Sequence, residues 1–479
     1  MTDASKFYID GQWVQPVHPG DEIVVINPAT EEEVARVAAA SPADVEAAVQ
    51  AAHRAFESYS QTTREERIGL LMRLREAYKR RIPAIAAAMT TEVGIPRGLA
   101  EGGQVLAGAG HLKEAMEALR DYPLHEDWGS TRIVREPVGV CALLAPWNWP
   151  MNQVTAKVGP ALAAGCTMVL KPSQLSPLSA LLFADAADEA GIPPGVFNMV
   201  NGAGAALGDA FSTHPLVDMV SITGSTAVGG SVAAAAAPSI KRVSQELGGK
   251  SANVVFADVD VRKVVASGTL GCMHNSGQTC NAPTRMLVAQ EIYEEAVEVA
   301  ARTAGAVAVG DPLDRATFMG PVAGRKQYQK VRAYIETGIA EGARLVAGGL
   351  ERPDGLDKGF FVRPTVFADV TPDMRIFREE IFGPVLCITP FRDEAQAIEL
   401  ANATEFGLSG YVQSADLERA RRVAGRMRTG MVHLNGAPTD GRAPFGGYRQ
   451  SGNGREWGRF GLEDFLEVKA VMGWEPRAR

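Results

Sequence analysis

Two doubly wound α/β domains joined to a small β arm are the fold this sequence predicts, on three observations. Short apolar runs alternate with Ala-rich helical stretches from Val140 onward, a second alternation begins at Asn253, and two extended segments have no adjoining helix. Repeated strand–helix units build a parallel sheet covered on both faces, because parallel strands need a crossover that a helix supplies. At 479 residues, 46% of them hydrophobic, the chain is long enough for two or three separate cores.

The elements follow in order. Residues from about 41 to 118 read as helices: Ser41-Pro42 is a helix start, since proline at the first helical position lacks only an N–H that would be orphaned there, and a long apolar-periodic stretch runs from Arg64 to Met89. Strands are expected at 141–145, 167–170, 196–200 and 217–223 in the first sheet, and at 285–289, 384–389, 409–413 and 430–435 in the second. The segments 124–140 and 466–474 alternate polar and apolar residues. Such arms either pair with another subunit or close an intrachain hairpin.

Composition excludes several functions. Net charge is −8, with no Lys/Arg run and no basic–aromatic interleaving, which argues against nucleic acid and anionic membranes. Met1 to Gly11 lacks the basic start and apolar stretch of a leader, and no run nears the ~18 apolar residues of a membrane span, so the expected location is cytoplasmic. Five cysteines without a CxxC pair fit neither a disulfide framework nor a zinc site, and no metal is expected. Cys141, Cys166, Cys272 and Cys387 sit in apolar contexts and read as packing residues. Cys280 follows the polar turn Ser276-Gly277-Gln278-Thr279, and by itself is open to either packing or chemistry.

A partner for that thiol stands upstream in Glu246-Leu247-Gly248-Gly249-Lys250. A thiol and a carboxylate are what a two-step covalent oxidation needs: a nucleophile, and a base for water. Together with Pro146-Trp147-Asn148-Trp149-Pro150, Gly224-Ser225-Thr226-Ala227-Val228-Gly229 and Glu379-Glu380-Ile381-Phe382-Gly383-Pro384, these motifs resemble the aldehyde dehydrogenase superfamily over nearly the whole chain. The resemblance implies a Rossmann-like dinucleotide-binding domain (1–118 and 138–247), a catalytic domain (248–450) and an oligomerisation arm (119–137 and 460–479). It further implies a homodimer or homotetramer that oxidises a small-molecule aldehyde to an acid with NAD or NADP.

For the cofactor, Gly202 to Gly208 is a weak dinucleotide signal, its last glycine one residue too far. Gly224-Ser225 is stronger: a strand meets a helix whose free N–H groups and dipole favour a pyrophosphate, although a plain N-cap has the same look. Lys171 and Gln174 sit where a strand ends, within reach of a ribose. The family usually has glutamate at the position of Gln174, and a neutral amide does not repel a 2′-phosphate, so NAD is expected with NADP left open. The resemblance assigns further cofactor contacts to Trp147, Ser173, Gly204, Val228 and Leu247, and the nicotinamide end to Glu380 and Phe382.

For the chemistry, the Asn148 amide and the Cys280 backbone N–H would hold the oxyanion formed when the thiolate adds to the aldehyde. Glu246 would activate water, with its pKa raised by burial. Lys157 and Glu456 match family positions proposed to relay protons; on residue pattern alone they are surface charges or a structural ion pair. Gln153, Ala156 and Asn281 fall where the family lines its substrate tunnel. Trp149 and Arg449 depart from the family's frequent Phe and Lys. Rival readings are a CoA-acylating relative, which would not need Glu246, a Cys/His hydrolase using His274, and a non-catalytic relative.

Overall fold

The computed structural model describes residues 3–18 and 20–475. Residues 1, 2 and 19 of the expected first domain and 476–479 of the expected arm lie outside the described residues. Two seven-stranded sheets, each flanked by helices, form the body. The first has the order Arg242–Glu246, Met219–Thr223, Val140–Leu144, Thr167–Lys171, Phe197–Met199, Phe7–Ile9, Gln12–Val14. Its first five strands are parallel, and Phe7–Ile9 joins them antiparallel through Tyr8 and Met199. The second runs Arg344–Ala347, Thr365–Ala368, Val385–Phe391, Arg285–Ala289, Ala252–Val255, Ser409–Gln413, Met431–Leu434, all parallel except the first. Central strands such as Val-Cys-Ala-Leu-Leu are buried throughout, as parallel strands covered on both faces must be.

The helices begin where expected. Ser41 precedes Pro42–Tyr59, and both its N–H and its hydroxyl donate to Asp44, which anchors the first turn. Thr63 and Glu66 form a reciprocal cap on Arg64–Val93, which runs four residues beyond Met89 and ends on Gly94 in the left-handed conformation. The arm is intrachain in its pairing: His125–Trp128 and Thr131–Pro137 make a hairpin, and Leu466–Met472 adds as its third strand.

Several strands escape the sequence reading, among them Glu22–Ile26, Glu33–Ala38, Arg344–Ala347 and Thr365–Ala368, and three more show why. Phe7–Ile9 and Gln12–Val14 are only three residues long, too short for a period to show. Arg242–Glu246 is an edge strand with alternating exposure and a polar composition, yet it ends on the carboxylate of greatest interest.

Candidate active site

The nucleophile candidate sits on a strained loop. Asn275, Ser276 and Gly277 are consecutive left-handed residues, a costly conformation for the two that carry side chains. Specific bonds hold it: Asn275 Nδ2 donates to the Asn148 carbonyl at 2.9 Å, Ser276 Oγ donates to the Gly320 carbonyl at 2.8 Å, and Gln278 Oε1 accepts from the Ala323 N–H at 2.9 Å. A β-carbon at Gly277 would collide with the Gly383 backbone, so only glycine fits there. On the far side of the thiol, the Tyr411 hydroxyl donates to the Asn281 carbonyl at 2.8 Å and Trp149 Nε1 donates to Thr279 Oγ1 at 3.0 Å. Of the five cysteines, Cys280 alone is not fully buried; Cys141, Cys166, Cys272 and Cys387 are.

Asn148 spends one of its two amide hydrogens on the Gln278 carbonyl, 3.0 Å away, and the other is left for a ligand. The Cys280 N–H makes no hydrogen bond among the described residues. Both donors flank the thiol, the arrangement that stabilises an oxyanion. The glycine pair of the ELGGK motif explains how the walls close: a β-carbon at Gly248 would strike the Glu380 carboxylate, and one at Gly249 would strike the Cys280 carbonyl.

Glu246 closes its strand at 2% exposure, and neither carboxylate oxygen has a hydrogen-bond partner. Burial, then the charge of Glu456, push its pKa well above the usual carboxylate range, with Lys157 and Arg455 opposing. Lys157 and Glu456 form a buried ion pair at 2.7 Å, and the Lys157 ammonium also donates to Ser221 Oγ at 3.1 Å. Neither is a surface charge. The Cys280 thiol is likewise pushed up by burial, then by Glu380 and Glu246. Glu380 is raised by burial, an effect the Gly249 N–H at 2.9 Å and Lys330 offset.

A cleft of about 650 Å³ gathers Trp147, Asn148, Gln153, Gly224, Ser225, Leu247, Cys280, Glu380 and Phe382. Trp147 meets the Phe382 ring edge-on at 5.5 Å, and Phe382 holds a positive φ of 59°. Ser225 caps the helix Thr226–Ala236, its hydroxyl accepting from the Val228 N–H at 3.4 Å. Lys171, Ser173, Gly204 and Val228 are not on the wall of this cleft. Lys171 bonds the Pro172 and Gly202 carbonyls at 3.3 and 3.4 Å, with its pKa lowered to about 8 by burial. Gln174 is exposed and opens onto a separate cleft with Glu31, Arg325 and Phe360.

The sequence reading missed three cleft residues. Thr223 ends a strand with its hydroxyl buried and unpartnered, and Gln327 and Lys330 lie one turn apart on the helix Arg325–Ala340. Nothing local marks the last two apart from other polar residues of an amphipathic helix. A second cleft, about 1120 Å³, lies behind the nucleophile loop and is lined by Trp149, His274, Thr279, Asn281 and Tyr411. Neighbouring residues thus face opposite clefts: Asn148 and Cys280 the first, Trp149 and Thr279 the second. Ala156 is buried and lines neither.

The model of the aldehyde dehydrogenase family matches residues 13–471. A 3-succinoylsemialdehyde-pyridine dehydrogenase of a Pseudomonas species is 54% identical over 476 residues, covering 99% of this chain and 100% of that protein. Among solved structures, a mutant of aldehyde dehydrogenase C from Pseudomonas syringae, complexed with NAD+ and octanal, superposes with a TM-score of 0.98 at 50% identity and 99% coverage of both chains. A betaine aldehyde dehydrogenase mutant from Staphylococcus aureus in complex with NAD+ gives 0.95 at 35% identity, covering 99% of this chain and 97% of that one.

Proposed function

The chain belongs to the aldehyde dehydrogenase family, and we propose that its Cys280, Glu246 and Asn148 perform the family's oxidation of an aldehyde to a carboxylic acid, with NAD as hydride acceptor. One observation carries the assignment of residues: Cys280 and the Asn148 amide line one cleft with unused N–H donors, and the unpartnered buried carboxylate of Glu246, behind that wall, acts on the thiol electrostatically.

The cleft fits the cofactor. Thr223 presents a buried hydroxyl with no protein partner, and the helix start at Gly224 and Ser225 offers N–H groups to an anion. Trp147, Leu247, Glu380 and Phe382 would hold the nicotinamide half, with Lys171, Ser173, Gln174, Gly204 and Val228 toward the adenosine half. The neutral, exposed Gln174 leaves NADP as an alternative acceptor.

In the first step the Cys280 thiol gives up its proton to water and reacts as the thiolate: Sγ bonds to the aldehyde carbon, and the oxygen takes up negative charge that Asn148 Nδ2–H and the Cys280 N–H stabilise. NAD, when bound, supplies the hydride acceptor that turns this adduct into a thioester. Glu246 then takes a proton from water, the resulting hydroxide attacks the thioester carbon, and the acid leaves as Cys280 is restored. Poised by burial above the usual carboxylate pKa, Glu246 is a better base than a solvated glutamate. The Lys157–Glu456 pair, which acts on Glu246 electrostatically, is the route we assign to its proton.

The same reading divides the chain at 248 between cofactor and catalytic domains and makes the three-stranded arm the contact of a homodimer or homotetramer. Large apolar side chains left exposed on it, Trp128 at 65%, Val468 at 66% and Met472 at 75%, support that role. Five free cysteines support a reducing, cytoplasmic setting.

The test is Glu246→Gln given NAD and an aldehyde. It is expected to release one equivalent of NADH, turn over about 10²–10⁴-fold more slowly, and carry an acyl group on Cys280 visible by intact mass, whereas Cys280→Ala shows neither burst nor adduct. An adduct-free Glu246→Gln protein removes Glu246 from the hydrolytic step.

A further inference from the structure

We propose that the proton Glu246 takes from water leaves the protein along a buried polar stripe, from the Lys157–Glu456 pair through Ser221 and Ser244 to Asp464, which hands it to solvent. The inference rests on the reading of Glu246 as the base and adds the outlet which that role requires.

Each deacylation breaks a water O–H bond and leaves the proton on Glu246, while the hydroxide bonds to the acyl carbon and the C–S bond breaks. Cys280 exchanges its own proton with water, so the proton on Glu246 is surplus and must be lost before the base can serve again. Glu246, Lys157 and Glu456 are 2%, 1% and 5% exposed, so none of the three opens freely to bulk water.

The stripe is written into the outermost two strands of the first sheet. Side chains alternate along a strand, and Ser221 pairs with Ser244 and Thr223 with Glu246, so these four residues share one face. The opposite face is apolar: Val220 and Ile222 enter a hydrophobic cluster, with Val243 packed against it. Polar groups buried on a sheet face are unfavourable unless hydrogen-bonded, and here each serine is bonded to an ionisable side chain. The Lys157 ammonium donates to Glu456 at 2.7 Å and to Ser221 Oγ at 3.1 Å. On the neighbouring strand, Ser244 Oγ donates to the Asp464 carboxylate. Adjacent strands lie about 4.8 Å apart, so a change of rotamer at either serine brings the two hydroxyls together. A β-carbon at Gly454 would come within 2.6 Å of Ser244 Oγ, and glycine keeps that side clear.

Asp464 suits the far end. It closes the helix Gly458–Asp464 and is partly exposed. Burial raises its pKa, which Ser244 and Arg242 oppose, so it takes up a proton more readily than a solvated aspartate; Glu456 and Lys157 both act on it. It is in turn among the charges that act on Glu246. Lys157 gives a proton to Ser221 as it regains one from Glu456, and each serine accepts a proton as it passes on its own. The net transfer is from Glu246 to Asp464, and from Asp464 to water.

Two variants test the outlet. Asp464→Asn keeps an acceptor for Ser244 but takes up no proton, and Ser244→Ala interrupts the stripe. Given NAD and an aldehyde in dilute buffer, both are expected to keep the NADH burst and to lower steady-state kcat about tenfold, less than the 10²–10⁴-fold expected from losing the base itself. The solvent deuterium isotope effect on kcat should rise above that of the wild type in both. Imidazole added at constant pH and ionic strength, a diffusible proton carrier, should restore kcat in Asp464→Asn and leave the wild type unchanged. An unaltered kcat in Ser244→Ala overturns the inference, as does a fall in kcat with no rise in the isotope effect, which is what a merely structural defect would give. Ser244→Ala decides the matter if Asp464→Asn does not fold. Failure of Glu246→Gln to accumulate acyl-enzyme would instead remove the base, and the outlet with it.

Discussion

The two sheets present their functional groups from opposite ends. In the first, Asn148 follows the strand Val140–Leu144, Gly224 and Ser225 follow Met219–Thr223, and Glu246 closes Arg242–Glu246, so all lie at carboxyl ends. In the second, Cys280 precedes Arg285–Ala289, and Glu380 and Phe382 precede Val385–Phe391, at amino ends. A strand's carboxyl end leads into a helix start, whose free N–H groups and dipole make an anion site without special side chains. The amino ends have no such resource. There the nucleophile is presented by left-handed residues at 275, 276 and 277, held by bonds from the first sheet's Asn148 loop and from Tyr411. One half of the cleft is generic backbone geometry, and the other is strain held in place by particular side chains.

Removing the donor that bridges the halves has the largest expected effect on this contrast. Asn148→Ala takes away both the oxyanion donor and the bond to the Gln278 carbonyl, and kcat is expected to fall about 10²–10³-fold. Iodoacetamide labelling of Cys280 separates the two losses: unchanged labelling assigns the fall to the oxyanion, and slowed labelling to the loop.

A pH profile probes the first sheet's carboxylate. Glu246 serves as a base only when ionised, and its pKa is raised by burial and by Glu456, so turnover is expected to fall as pH drops through that raised value, about tenfold per unit. A steady-state profile flat down to the ordinary carboxylate range would contradict the assignment. The smallest effect belongs to the helix start. The Ser225 cap bond is long, at 3.4 Å, so Ser225→Ala is expected to cost about 1 kcal/mol or less in thermal unfolding. It should raise KM for NAD a few-fold while leaving the Cys280 chemistry alone. A fall in kcat instead would mean that the two halves are less separable than their geometry.

Much of the site is legible because it rides on short motifs. Cys280, Asn148 and Glu246 each sit in a run whose neighbours have structural reasons to be there: Gly277, Gly248 and Gly249 occupy places where a β-carbon collides with backbone or a carboxylate. Lys157 and Glu456 were open between surface charge and ion pair, since no pattern links residues 299 positions apart. Gln327 and Lys330 carried no signal at all, because an amphipathic helix shows polar residues on every turn it exposes. The strand Arg242–Glu246 was invisible for a related reason: an edge strand lacks the continuous apolar run by which buried parallel strands are read.

By itself the sequence determined the strand–helix alternation and the helix starts, because period, caps and turn residues act over a few positions and leave their mark there, whereas Cys280 stood out only through its resemblance to a family. Only the tertiary structure decided that Glu246 is unpartnered, that Lys157 is paired with Glu456, and that the Gln153 amide oxygen is enclosed without a partner. Burial and hydrogen-bond partnership are set by segments that packing brings together from distant parts of the chain, and the charge and reactivity of a buried group follow from that company.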